Sequence, residues 1–428
     1  MDYLRGLVGV ALLLGIAWLF SQNRKGVNWR LVGGGLIVHI LLGILIIKVQ
    51  FVNVIFSWMS GAFVKTLSFS EVGTDFVLGK FSHKAEWGFV FAFHVLPAIV
   101  FFAALTGLLY HLGVLQFVVR LIAQCFSKAM QLSGAESLSM AGNIFMGQTE
   151  APLLVKPFIP KMTKSELMCL MTGGMATISG GVLAGYVVFL GGDDIAERTR
   201  FATYLLSASF MNAPVAIIMS KIMVPESDTH LVDKELTVFE SHRAANFIDA
   251  LARGTGDGIN MVIKIVGMIV VFISLIALLN YMLGFVGEIM GLNEVVASMS
   301  GGVYQSLSME FLLGQCFRLV AVVIGVSWAE SLQVGSLLGQ KLVLNEFIAY
   351  TSLAEMKESV SISDRSIIIS TYALCGFANF GSIAIQIGGI GSLVPEQQEN
   401  LSKLGVRALI AATMATLVTA NTAGVLLG

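Results

Sequence analysis

GNIFMGQTEAPLLVKPFIP, residues 142–160, sets Asn143, Gln148, Thr149 and Glu150 close together and follows them with Pro152, Pro157 and Pro160. The surrounding chain is mostly apolar. Over 428 residues it is 56% hydrophobic and 12% charged, about half the charged share of a soluble domain. Apolar stretches of ~20 residues recur, the length a helix needs to cross ~30 Å of hydrocarbon. The composition is that of an all-α polytopic membrane protein. The short alternating segments of a transmembrane β-barrel do not dominate. A formal net charge of −1 gives no basic surface for nucleic acid. Four cysteines, Cys125, Cys169, Cys316 and Cys375, stand singly in apolar surroundings and are expected as buried free thiols. No HExxH, P-loop or GxGxxG stretch is present, which argues against a metalloprotease or an ATP-driven pump.

Eight stretches read as membrane spans: 4–21, 31–50, 87–111, 171–190, 201–223, 259–285, 365–389 and 405–427. The first is followed by Arg24, Lys25 and Arg30, a cytoplasmic cluster by the positive-inside rule. It therefore reads as a retained first span, with both termini outside. Residues 51–85 look too polar to span and are expected as an amphipathic segment on the outer side. The polar stretch 226–258 is expected as a cytoplasmic loop with an interfacial helix. His39, His83, His94 and His111 are ungrouped and read as structural.

Two stretches fit no ordinary span. Residues 134–165 hold the opening motif, and residues 301–347 hold SWAESLQVGSLLGQKLVLNEF. Each has apolar flanks too short for two crossings and a polar, Glu-bearing centre. Both are expected as re-entrant helical hairpins, whose non-helical turns survive at depth only where they line an enclosed cavity. After each comes a span interrupted by Gly, Ser or Thr (GGMATISGGVLAGY, then CGFANFGSIAIQIGG) and one further span. Matched broken segments in two inverted repeats point to a secondary transporter's binding site.

The polar side chains suggest what is bound. Glu150 and Glu330 inside apolar stretches each cost roughly 2.5–3.5 kcal/mol. They read as ligand contacts; the alternative is that each caps a helix or pairs with a lysine such as Lys341. Gln148, Thr149 and Glu150 offer mixed donors and acceptors, as suits a planar polar ring such as a nucleobase. Asn379 and Ser382 beside Phe377 suit a hydroxyl-rich ligand such as a sugar, although Phe377 could simply pack. Asn143 and Thr177 could give neutral oxygens to a hard cation, or hydrogen-bond each other. GTGDG at 254–258 contains a pattern of intramembrane aspartyl proteases, but that chemistry needs a second aspartate, usually in a Tyr-Asp pair, and no such pair occurs. A passive channel needs no pair of ligand-enclosing hairpins.

NIFMGQTEAPLLVKPF, SGGVLAGY, GQKLVLNEF and ALCGFANFGSIAI resemble the concentrative nucleoside transporters, in their bacterial eight-span form, over essentially the whole chain. The resemblance implies a homotrimer in the bacterial inner membrane. It implies a scaffold around an elevator-like transport domain that imports nucleosides with sodium, proton coupling being the alternative. On that division 1–111 holds scaffold spans and an outer segment, and 112–225 the first transport repeat. Residues 226–300 hold a loop or interfacial helix and scaffold span, and 301–428 the second repeat. By resemblance Gln148, Thr149, Glu150 and Val182 meet the base, and Glu330, Asn379, Ser382 and Phe377 the ribose. Asn143 and Thr177, with the carbonyls of Met146 and Ile178, resemble the sodium ligands. The chain departs from relatives in carrying Ser327 for a frequent proline and Gly381 for a serine.

Overall fold

A computed structural model describes residues 2–82, 90–227 and 244–427. His83, the first residues of the third expected span and residues 228–243 of the 226–258 stretch lie outside them. The described chain is helical throughout: α1 Asp2–Leu19, α2 Trp29–Lys48, α3 Gln50–Leu78, α4 Phe91–His94, α5 Leu96–His111, α6 Val114–Met130, α7 Gly134–Asn143, α8 Lys164–Ala176 and α9 Gly180–Gly191. There follow α10 Ile195–Met223, α11 Phe247–Ile289, α12 Leu292–Met299, α13 Met309–Val323, α14 Ser331–Val343, α15 Glu346–Glu358, α16 Asp364–Leu374, α17 Phe380–Leu393 and α18 Gln398–Leu427. Among the described residues six helical stretches are long and apolar enough to cross a membrane, and two shorter apolar helices bring the number to the eight expected.

Two polar segments are more regular than their composition suggests. Residues 50–78 form one helix whose buried residues, Ser60, Val64, Leu67 and Ser70, recur at helical spacing on a single face. The end of the 226–258 stretch is the start of α11 rather than a separate interfacial helix. Asn246 caps that start, its side chain accepting from Asp249 N at 2.9 Å. At 1.5 Å per residue the 43 residues of α11 rise about 64 Å. Gly254 and Gly258, the first and last glycines of GTGDG, let α11 approach α5. A Cβ on either would lie 2.8 Å from backbone atoms of Ala103, Ala104 or Val100. Close small-residue packing thus accounts for these two glycines.

The first hairpin follows the expectation. Capping boxes at Ser133/Glu136 and Thr163/Glu166 start α7 and α8. From the end of α7 the chain turns at 144–150 and returns through 3-10 turns at Ala151–Val155 and Ile159–Lys161. Pro152 and Pro160 sit in the first turns of these, where a missing N–H costs nothing.

The second hairpin is shifted along the chain from 301–347: it begins at Ser331 and ends at Glu358. α13 and α14 pack side by side, joined by an outer turn in which Ser327, Trp328 and Ala329 are exposed. From there α14 runs inward, reverses at Leu344–Asn345 and leaves as α15. Gln333 Nε2 donates to Ser361 O (3.2 Å), so the start of α14 lies beside the end of α15. The inward hairpin is therefore α14–α15, with Asn345 as the N-cap of its returning arm. Both long interrupted spans are broken as expected, α8 from α9 at 177–179 and α16 from α17 at 375–379.

A buried ion pair anchors the first repeat. The Lys221 ammonium near the end of α10 contacts Glu136, donates to Ser165 Oγ (3.0 Å) and stands 3.8 Å from Glu226. Removing one partner of such a pair strands the other in the interior, at about 3–5 kcal/mol. Lys221→Met should therefore melt well below the parent in a thermal scan of purified protein, whereas Lys403→Met, at an exposed pair with Glu399, should melt with it. Of the cysteines, Cys169 and Cys375 are buried as expected, whereas Cys125 and Cys316 lie on outward helix faces. His39 is structural, bridging Met211 O and Thr422 Oγ1 at 3.0 and 2.9 Å.

Candidate substrate and ion site

The two helix breaks meet. Gly376 has φ +145°, and a Cβ there would fall 2.9 Å from the carbonyl oxygens of both Met175 and Ala176. Only glycine combines that conformation with that approach. Asn212, fully buried on α10, donates from Nδ2 to Ala176 O (2.8 Å) and Cys375 O (3.0 Å). One amide thereby satisfies the last carbonyl of α8 and that of Cys375, the residue capping α16, which a helix end otherwise leaves bare. The first hairpin is tied to the same place by Gly180 N donating to Phe145 O at 3.0 Å.

Polar side chains from both repeats converge on this junction. Gln148 Nε2 donates to Ser382 Oγ at 3.2 Å. Gln386, one turn beyond Ser382 on α17, donates to Gln148 Oε1 (3.2 Å) and Met171 O (3.0 Å). Asn379 caps α17 through Ser382 N at 2.8 Å, and its Nδ2 donates to Glu346 Oε2 at 2.7 Å. Tyr186 OH donates to the other oxygen of Glu346 at 3.2 Å. Phe377 is buried in the second break, two residues before Asn379, and Val182 in the first turn of α9. Thr149 is exposed, its methyl against the Cα of Gly389.

Glu330 is not brought here. It sits half-buried in the outer turn, where Ser363 donates to it from N and Oγ (2.9 Å each) and Ser366 donates from Oγ. Those serines begin α16, and Asn379 follows its far end; 11 residues of helix, about 16 Å, separate them. Glu330 thus caps a helix, and the carboxylate beside Asn379 is Glu346. GQKLVLNEF carries Glu346 within a recognisable stretch, yet residue type alone does not place it in the site. Gln386 is likewise missed from sequence, although its spacing of four from Ser382 puts both on one helix face.

Glu150 faces another way. Its Oε2 accepts from Gly147 N at 3.0 Å, and it lines a cavity of about 240 Å³ between the hairpin turn, α5 and α11. Ser179, Arg253 and Asp257 line the same space.

The four expected sodium ligands lie around the first break. Asn143 is buried at the end of α7 with Oδ1 unpartnered among the described residues, its Nδ2 reaching Ser139 Oγ at 3.5 Å. Thr177 Oγ1 donates to Gly173 O at 2.9 Å, leaving its lone pairs free to accept. Asn143 packs against the same Gly173, where a Cβ would lie 3.3 Å from its Nδ2. Met146 and Ile178 are buried in the adjoining non-helical turns. A buried, unpartnered amide oxygen beside freed carbonyls suits a hard monovalent cation.

Three family models match the chain. They are the N-terminal part of Na+ dependent nucleoside transporters over residues 8–81, a nucleoside-recognition family over 92–193, and the C-terminal part of Na+ dependent nucleoside transporters over 204–424. The chain is 37% identical to the uncharacterized transporter YutK of Bacillus subtilis, over 99% of each. It is 36% identical to sodium/nucleoside cotransporter 1 of Mus musculus, over 99% of this chain and 64% of that one. The fold matches CNTnw in an inward-facing substrate-bound state with a TM-score of 0.90 and 37% identity, over 100% of both chains. An outward-facing CNTnw variant matches with a TM-score of 0.91 and 36% identity, over 100% of this chain and 98% of that one. With its apolar helices and its junction of two broken spans, the chain belongs to the sodium-dependent, concentrative nucleoside transporter family, membrane proteins that carry nucleosides rather than transform them.

Proposed function

We propose that the chain is a symporter that imports nucleosides across the bacterial inner membrane on the sodium gradient. The observation that carries this reading is the convergence of Gln148, Ser382, Asn379 and Glu346, drawn from both repeats onto one junction. Gln148 and Gln386 present amides suited to a base edge, with Thr149, Glu150 and Val182 beside or behind them. Glu346, Asn379 and Ser382 present the acceptors and donors that sugar hydroxyls require, with Phe377 alongside. Glu346 takes the ribose role that the resemblance gives to Glu330. Asn143, Thr177 and the carbonyls of Met146 and Ile178 hold the ion.

The transport unit comprises residues 112–225 and 301–428, moving elevator-fashion against α5, α11 and the other outer helices. The cavity on the seam between Glu150 and Asp257 supports that division, as it separates the hairpin turn from α5 and α11. The apolar side chains that α11 exposes along its length, among them Ile263, Val270, Tyr281 and Ile289, support burial against lipid and sister copies in a homotrimer. Both termini lie outside. Uptake of radiolabelled uridine and adenosine into proteoliposomes, with sodium and proton gradients imposed separately, tests the reading. Accumulation under sodium alone supports it. Accumulation under the proton gradient alone establishes proton coupling instead, and entry only down the nucleoside gradient establishes a channel.

The division of labour has its own test. A site built to hydrogen-bond a hydroxyl rejects the analogue lacking it far more than a site that packs against it. Asn379→Ala should therefore lose discrimination against 3′-deoxyuridine, while Gln148→Ala should change the ratio of uridine to adenosine uptake. Indistinguishable selectivity profiles in a competition series would sink this assignment.

A further inference from the structure

We propose that the ammonium of Lys341 is a tethered counterpart of the transported sodium, holding in the second repeat the position that the ion holds in the first. The inference rests on the sodium site proposed above. Lys341 lies five residues before Glu346, near the end of the inward arm α14; Asn143 lies five residues before Gln148, at the end of the inward arm α7. Each arm ends beside the C-terminal end of a half-helix, where backbone carbonyls favour a positive charge. In the first repeat that end is the last turn of α8, where Asn143, whose Oδ1 is unpartnered among the described residues, packs against Gly173. In the second it is Ala373, whose carbonyl accepts from Lys341 Nζ at 2.9 Å.

The next helix repeats the match. Lys341 Nζ also donates to Thr416 Oγ1 at 3.2 Å, on α18. Thr416 stands about as far along α18 as Asn212, which serves the first break, stands along α10.

The surroundings of Lys341 are those of an ion rather than of a salt bridge. It is 2% exposed, and among the described residues no carboxylate lies within 4.0 Å of its Nζ. An ammonium held by a carbonyl and a hydroxyl has the oxygen partners that unwound segments give sodium. A cavity of about 20 Å³ adjoins it, lined by Ala373, Thr413 and Thr416, so a shortened side chain leaves room for a small cation. The first repeat binds its positive charge from solution, and the second carries its own. One charge is then fixed to the transport unit in both directions of travel, and only the other is delivered.

The experiment compares Lys341→Asn, which reproduces the first repeat's ligand, with Lys341→Met, which keeps the length and removes the charge. Uptake of radiolabelled sodium and uridine into proteoliposomes gives their ratio. Lys341→Asn should roughly double the sodium carried per uridine and make the sodium activation curve sigmoidal, because a second mobile ion is now linked to transport. Lys341→Met should lose uptake at least about tenfold, since an apolar chain leaves the Ala373 carbonyl and the Thr416 hydroxyl oxygen without their donor. An unchanged ratio in Lys341→Asn, or parental uptake by Lys341→Met, overturns the proposal. Should Lys341→Asn not transport, calorimetric titration of the detergent-purified variant with sodium decides: two sites support the proposal and one overturns it. Failure of the first-repeat site reads differently. It appears as parental sodium affinity in Asn143→Ala, whatever the Lys341 variants do.

Discussion

Glu346→Gln should lower uridine uptake by about a hundredfold, the loss expected when charge-assisted hydrogen bonds become neutral ones, while Glu330→Gln should leave uptake within about twofold of the parent. Each oxygen of the Glu346 carboxylate already accepts one bond, from Tyr186 OH and from Asn379 Nδ2. Its remaining lone pairs can take two sugar hydroxyls. An amide has one acceptor oxygen. Its NH2 must face either the Asn379 amide, donor against donor, or the Tyr186 hydroxyl, which must then turn round. Glu330 has none of this at stake, as it serves the start of α16 from an exposed turn. Ser363 also caps that helix by itself, so the loss is a partial cap at about 1 kcal/mol. Uptake rates set against the amount of folded transporter, measured by size exclusion, check the pair. Parental transport by Glu346→Gln would remove it from the ribose site. Abolished transport by folded Glu330→Gln would return the ribose role to Glu330.

That contrast also shows where the sequence was readable. Run length gave the eight apolar segments, and Gly, Ser and Thr inside two of them marked the breaks at 177–179 and 375–379. GQTEAP stood out because its prolines and polar residues share one short turn. Depth was harder. Glu330 and Glu346 occupy one apolar stretch, and nothing in residue type says which turn lies outside and which within. The helix-start signal was present in Asn345, an N-cap residue inside an apolar run with Glu346 directly after it. Asn212 gave no local signal, as its partners are the carbonyls of residues 176 and 375, brought to it only by the meeting of the breaks. The amphipathic face of α3 was legible; its continuity as one helix was not, because polar residues interrupt the apolar run without interrupting backbone hydrogen bonding.

Asn143→Ala should weaken sodium binding by roughly ten- to a hundredfold while leaving nucleoside affinity near parental at saturating sodium, the pattern expected when only one of two linked ligands loses a contact. Asn143 Oδ1 is buried and accepts from no donor among the described residues, so its removal costs the folded protein no hydrogen bond at that atom. The Thr177 hydroxyl and the carbonyls of Met146 and Ile178 would remain to hold the ion more weakly. The coupling has a physical route. Asn143 and Gln148 are five residues apart on one hairpin, and Phe145 between them is bonded to Gly180 across the break. An ion that orders this turn also orders the amide that meets the base, so sodium and nucleoside each raise the other's affinity by the same factor. Calorimetric titration of sodium with and without uridine measures that factor directly. In the parent, sodium should bind more tightly with uridine present; in Asn143→Ala both titrations should shift to weaker binding. Equal sodium affinities with and without uridine in the parent would show that this hairpin does not couple the two ligands, however the ion is held.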